Sequence, residues 1–208
     1  MTTLVYVLLA FAIGYAAGRF RSHTFQNRGE ALLRRTAQGH FGPPDYHLMN
    51  HVTLLLKDGT TQIDHILVSR FGIFVIESKD YKGWIFANAK QANWTQTIFK
   101  RNFKFQNPIF QNLRHVRAVQ SLLEFLPPEV VRSVVVFTGE AQFKTEVPNG
   151  VFTLPRFVEY VQGQSTEVLS LNRVQFCVGR LETARQSVTK RTDIEHVQSL
   201  QRRHGSAA

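Results

Sequence analysis

Between residues 46 and 79 the apolar positions fall into three runs separated by short polar turns. Tyr46 to Leu56 is followed by Lys57-Asp58-Gly59-Thr60, then Gln62 to Val68, then Ser69-Arg70-Phe71-Gly72, then Ile73 to Lys79. Runs of this length, rich in Ile, Val and Phe and closed by Gly-containing turns, predict a meander whose last two strands form an antiparallel hairpin. Ile73 to Ile76 is unbroken apolar sequence, as in a strand covered on both faces, yet it ends in Glu77-Ser78-Lys79. Alternation along a strand puts Glu77 and Lys79 on the face of Ile73 and Val75 and Ser78 on the other, with Asp64 within cross-strand reach. Gly83 to Phe86 and Trp94 to Phe99 are expected to extend the same sheet.

Helical spacing takes over elsewhere. Glu30 is expected to open a helix that runs to about Gln38 and stops at Gly39. Asn107-Pro108 is a strong helix start, an N-cap followed by a proline at the first helical position, and the helix should reach Leu126. Its apolar stripe is read as Ile109, Leu113, Val116 and Leu123, with Gln111, Arg114 and His115 off it. Pro127-Pro128 ends it, and Val130 to Phe137 then reads as a covered central strand. A strand at Val151 to Leu154, a helix from Pro155 to Gln162 and a helix from Ser170 to Arg185, with Leu171, Val174, Val178 and Leu181 inward, complete the pattern.

The first 18 residues carry no charge and would be about 27 Å long as a helix. That length just spans a bilayer core of ~30 Å. No basic residue precedes the run, whereas Arg19, Arg21, Arg28, Arg34 and Arg35 follow it, which favours an uncleaved anchor with the downstream chain in the cytoplasm over a signal peptide. The expected organisation is therefore a transmembrane anchor over 1–20, a globular domain over 21–185 and a polar, basic tail over 186–208, placed at the inner membrane as a single-pass protein.

With 208 residues, 43% of them hydrophobic, the chain can bury a sizeable core. One cysteine, Cys177, excludes an internal disulfide and a cysteine zinc site, and its helical setting makes it a core residue. A net charge of +10 points to a polyanionic partner. From Tyr81 to Leu123 there is no acidic residue, while Lys82, Lys90, Lys100, Arg101, Lys104, Arg114 and Arg117 alternate with Trp84, Trp94, Phe99, Phe103 and Phe105. Two readings stand: a phosphate-binding surface with stacking rings, or a solvated basic face over core aromatics.

Two carboxylates and an ammonium converging at a buried strand end must pair with each other or hold a cation. An acid-x-Lys tripeptide alone reads most simply as a structural ion pair. Here it stands in an ordered set: Arg28-Gly29-Glu30, Gln62-Ile63-Asp64-His65, Glu77-Ser78-Lys79-Asp80-Tyr81-Lys82-Gly83, Trp94-Thr95-Gln96 and Asn107-Pro108-Ile109-Phe110-Gln111-Asn112. In this order and over residues 27 to 126 the set resembles the nuclease-related domain, NERD, which is itself similar to the PD-(D/E)XK nucleases.

That resemblance implies an α/β (α+β) fold, a restriction-endonuclease-like mixed central sheet flanked by helices. It implies a catalytic group of Glu30, Asp64, Glu77, Lys79 and Gln111. Asp64, Glu77 and the backbone carbonyl of Ser78 would hold Mg2+, with Mn2+ as a substitute, and Lys79 would position or activate water. Lys82, Lys100, Arg101, Lys104 and Arg114 are the expected nucleic-acid contacts, with DNA placed ahead of RNA. His65, next to Asp64 and so on the opposite face, is expected to be structural. The expected function is a membrane-anchored, metal-dependent nuclease; the alternative is a non-catalytic module on the same fold that binds nucleic acid or the membrane surface. Oligomeric state is not legible.

Overall fold

The computed structural model describes residues 28–57 and 59–186; the expected anchor and all but the first residue of the expected tail lie outside the described residues. Among the described residues no helix is long and apolar enough to cross a membrane. The architecture is mixed α+β, with two mixed sheets. The larger has strand order β1-β2-β3-β7-β9, from β1 (Tyr46–Leu56), β2 (Gly59–Ser69), β3 (Gly72–Lys79), β7 (Val131–Phe137) and β9 (Val151–Thr153). The first three form the expected antiparallel meander, closing at Ser69↔Gly72, and β3, β7 and β9 run parallel to one another.

Four helices and a second sheet cover what the first sheet cannot bury alone. The helix α1 over residues 28–40 and α3 (Leu154–Gln162) lie on one face, where Leu33, Ala37 and Phe157 meet Leu67, Phe74, Ile76, Val134 and Val136. On the opposite face α2 (Pro108–Leu122) and α4 (Leu171–Ala184) bring Val116, Val119, Val174 and Leu181 onto Ile66, Val68, Ile73 and Val75. Alternate residues of β3 from Ile73 to Ile76 thus enter different cores, which is why that run is unbroken apolar sequence. Cys177 is buried in the second of these cores.

The expectation that residues 83–99 extend the first sheet is wrong. β4 (Gly83–Phe86), β5 (Asn93–Ile98), β6 (Arg101–Gln106) and β8 (Ala141–Phe143) form a separate sheet of order β6-β5-β4-β8. The reason is Gly83. It sits at φ +80, and a Cβ there would lie 2.5 Å from the Thr97 carbonyl oxygen, so the chain leaves β3 in a conformation only glycine takes easily and starts a new ladder. The second sheet packs on the first through Ile85, Trp94, Val135, Phe137 and Val151.

Smaller corrections concern helix faces. Residues 28 and 29 are already helical, so Glu30 lies inside α1 and not at its start, and the helix runs past Gly39 to residue 40. In α2 the inward positions are Asn112, His115, Val116 and Val119, while Leu113 is exposed. In α4 Ser170 is the N-cap, Leu171 is exposed, and Val174, Cys177, Val178 and Leu181 face the core.

Candidate active site

The site grows from the end of β3. The β2–β3 ladder ends at His65↔Ile76, whereas the parallel pairing with β7 continues through Glu77↔Val135, Ser78↔Val136 and Lys79↔Phe137. The last three residues of β3 are therefore held on one side and released on the other. Asp64 fills the released side: its Oδ2 accepts hydrogen bonds from the Ser78 backbone N and from Ser78 Oγ, both at 2.8 Å. Ser78, which alternation separates from Glu77 and Lys79, thus still serves the site by fixing Asp64.

A kink in the neighbouring strands sets this geometry. The β1–β2 register is the same on both sides of the gap, Asn50↔His65 and Val52↔Ile63, and the intervening residues His51 and Asp64 drop out of the ladder together. His51 has φ +51, a left-handed conformation that is uncommon for a residue with a side chain. Met49 and Val52 enter the same core, as do Ile63 and Ile66, so both strands switch faces at this point. The switch frees Asp64 toward β3 and His51 toward α1, where its Nδ1 lies 3.4 Å from Glu30 Oε2.

Glu30 reaches the site because Gly29 lets α1 come close. A Cβ on Gly29 would stand 2.5 Å from Thr138 Oγ1 and 2.6 Å from Asp80 Cβ, at the exits of β7 and β3. Glycine before the acid is thus a packing requirement of the Arg28-Gly29-Glu30 motif. His65 lies buried beneath, with Nδ1 2.8 Å from Asn50 Oδ1. Burial, then the cationic groups of His51 and Arg34, hold its pKa down at about 3, so it stays neutral and structural, as expected.

From the other layer α2 contributes Gln111 and His115, one turn apart. Lys79 Nζ donates to Glu77 Oε1 at 2.5 Å and to Gln111 Oε1 at 3.1 Å. His115 Nε2 lies 3.2 Å from Glu77 Oε2, near but not aligned as a hydrogen bond, and its Nδ1 is 2.7 Å from Thr61 Oγ1. Asn112, fully buried, donates to the carbonyls of Val75 and Val134 and to Ser133 Oγ, tying α2 across β3 and β7. His115, Asn112 and Thr61 lie outside the group of residues expected to form the site. The available signal was the i, i+4 spacing of Gln111 and His115, which puts both on one helix face.

The structure thus brings Asp64, Glu77, Lys79 and Gln111 together, with Glu30 in electrostatic range of Asp64, Glu77 and Lys79. Lys100, Arg101 and Lys104 are exposed on β6 and its turn, Arg114 is half-buried on α2, and Lys82 lines a cleft with Arg28, Arg35 and Phe103. The aromatic residues divide: Trp94 is buried and Phe105 packs on it, whereas Trp84, Phe99 and Phe103 are exposed.

Three carboxylates share one ammonium, and their proton affinities record the shortfall. Burial, then the Asp64 and Glu77 charges, push Glu30 up to about 8 against the pull of Lys79. Burial and Glu77 push Asp64 up to about 6, although its two Ser78 hydrogen bonds and Lys79 oppose this. For Glu77 burial would raise the pKa, but Lys79 and His115 outweigh it and the net shift is down. Lys79 is held up by Glu77 despite its burial, so it stays an ammonium.

A divalent cation would supply the missing positive charge, and the donors are hard oxygens. Among the described residues no group of three or more His, Cys, Asp or Glu side chains is set to hold a metal ion. These residues therefore do not offer an all-protein cage. They fit the looser demand of Mg2+, which commonly takes one or two carboxylates and completes its shell with water and substrate phosphate.

No solved structure matches the chain. An uncharacterized protein of Bacillus anthracis is 43% identical over 97 residues, which cover 46% of this chain and 45% of that one, so the chain spans less than half the length of this curated relative. The family model of the nuclease-related domain matches residues 26–138, more than half of the chain and the whole of the segment that builds the site. The chain belongs to the nuclease-related domain family.

Proposed function

We propose that the protein is a metal-dependent nuclease that hydrolyses phosphodiester bonds of nucleic acid, tethered to the inner membrane by its first 20 residues with the nuclease domain in the cytoplasm. One observation carries the reading: three carboxylates gather round a single buried lysine at the carboxyl ends of the parallel strands β3 and β7, where the fold leaves a charge deficit. The carboxyl ends of parallel strands are where ligands of open sheets bind. The PD-(D/E)XK likeness and the restriction-endonuclease-like description of the fold belong to this proposal.

Asp64 and Glu77, with the Ser78 carbonyl, would hold Mg2+ or Mn2+, and such an ion supplies a Lewis acid and a nucleophile at neutral pH. Ser78 holds Asp64 in place through two hydrogen bonds. Lys79 remains protonated, so its role is to orient the attacking water and to neutralise charge growing on the phosphate, not to remove a proton. Gln111 fixes the ammonium from the helix side, and His115 backs Glu77. Glu30, with a pKa near 8, carries a proton at neutral pH while the metal is absent and stands ready to give it up when positive charge arrives.

The exposed cations Lys100, Arg101 and Lys104, with Lys82, Arg28 and Arg35 along the cleft beside α1, offer the phosphate backbone a path across the surface. The test is cleavage by the full chain of single-stranded, duplex and branched DNA and of RNA, with Mg2+, Mn2+ or EDTA. Cleavage that EDTA abolishes is the expected result; binding without cleavage under every metal contradicts it. One observation favours that second reading, a binding module without turnover: Lys79 already bonds one oxygen of Glu77, and His115 stands 3.2 Å from the other.

A further inference from the structure

β5 and β6 are joined by the two-residue turn Phe99-Lys100, flanked by the pair Ile98↔Arg101. Both turn residues have positive φ, 47° and 64°, which is the type I′ hairpin connection. That turn ordinarily takes Asn and Gly, because a bulky side chain is strained in the left-handed region. Here it carries a phenylalanine, and the ring is 90% exposed. A strained backbone that presents an apolar ring to water has no folding rationale, and strain of this kind points to function.

What surrounds the ring identifies its ligand. Lys100 and Arg101 are exposed beside it, Lys104 is exposed farther along β6, and no acidic residue occurs from Tyr81 to Leu123. The chemistry is therefore a polyanion that also offers a flat apolar face, and a nucleobase supplies one. In an intact duplex those faces are hidden in the stack, so the ring gains contact where a base is already unpaired. A bilayer surface also attracts cations and aromatics, but a single ring at a hairpin tip buries too little apolar area to anchor there.

Resting on the nucleic-acid reading above, we propose that Phe99 is a stacking wedge, held out on a rigid turn to dock against unpaired bases and so to direct the protein to single-stranded or frayed sites. The hairpin is coupled to the site by Asn107, fully buried, which caps α2 through Ile109 N and donates to the carbonyl of Gln91. One six-residue strand separates tip from helix, about 20 Å. That distance is about six base-pair steps of B-form duplex, and fewer steps of an extended single strand.

The test is binding, with EDTA present so that no cleavage intervenes, by the full chain in nonionic detergent. Fluorescein-labelled oligo(dT) is compared with a blunt duplex of the same length. Phe99→Ala should weaken oligo(dT) binding by about tenfold, leave duplex binding and the salt slope unchanged, and Phe99→Trp should restore the affinity with its fluorescence quenched by oligo(dT). Phe99→Asn, at ease in the left-handed turn, should raise the unfolding midpoint and still lose the oligo(dT) preference. Equal oligo(dT) affinity of parent and Phe99→Ala overturns the wedge, as does a Phe99→Trp emission that responds to phosphatidylserine vesicles and not to oligo(dT). A parent that binds no nucleic acid sinks the nucleic-acid reading itself. A parent that binds through Phe99 but never cleaves sinks only the nuclease reading.

Discussion

Lys79 is the residue on which the others depend. A buried ammonium must be matched, and Glu77 matches it at 2.5 Å, which leaves Glu30 and Asp64 to share what positive potential remains. The consequence is a pH signature of the metal-free protein. Glu30 has a folded pKa near 8 against an ordinary 4.5, so the folded state binds the extra proton between these values. Its contribution to stability is complete below 4.5 and is lost as pH rises through 8. In EDTA the urea midpoint of the parent should therefore fall between pH 6 and 8.5, Glu30→Gln should flatten that decline, and Mg2+ should reverse it. A decline as steep in Glu30→Gln as in the parent would show that another group is responsible. At this scale the site was legible as an ordered set of motifs and not as geometry. Glu30, Asp64, Glu77, Lys79 and Gln111 stand in the motifs, whereas His115 does not, and an apolar stripe is a poor guide to α2 because the helix turns polar residues inward where it covers the site.

Elements owe their placement to a few exceptions to regular structure. The kink at His51 and Asp64 lets the acid leave the ladder, Gly29 lets α1 approach, and Gly83 starts the second sheet. The strands β1, β2, β3 and β7 were readable because alternation and turn residues agree there. In the second sheet β4 and β5 were readable as strands but not as a separate sheet, and β6 was not readable, because it reads Arg-Asn-Phe-Lys-Phe-Gln and lies largely exposed, as a basic surface does. Pairing restores the sense of that composition: Lys104 stands opposite Thr95 and Arg101 opposite Ile98, at the free edge of the sheet. Lysine and arginine on an edge strand discourage pairing with another chain, and the same charges suit a phosphate backbone. The element-scale prediction is that nucleic-acid affinity falls with salt by a log–log slope of roughly 0.9 per duplex phosphate neutralised. Replacing Lys100, Arg101 and Lys104 together by Ala should lower the slope by about three such increments. A slope unchanged in the triple variant would make the edge charges solely a guard against aggregation.

In the molecule as a whole the first sheet is a wall with α1 and α3 on one side and α2 and α4 on the other, and the cluster gathers at its β3 end between α1 and α2. Both layers are needed, since Glu30 comes from one and Gln111 and His115 from the other. The proposed anchor leads to its own outcome: the full chain should stay with membranes through a carbonate wash, and a reporter after Ala208 should behave as cytoplasmic. A processed, soluble periplasmic form would overturn that topology. In the proposed mechanism Asp64 and Glu77 hold a metal while Lys79 acts beside it. That mechanism is tested most directly by pairing calorimetric Mg2+ titration with single-turnover cleavage for the parent, Asp64→Asn, Glu77→Gln and Lys79→Ala. Both carboxylate variants should lose metal affinity and cleavage together, while Lys79→Ala should still bind metal and cleave slower by about 10²- to 10³-fold. A Lys79→Ala protein that cleaves as fast as the parent, or a parent that binds nucleic acid and cleaves with no divalent metal, would contradict it.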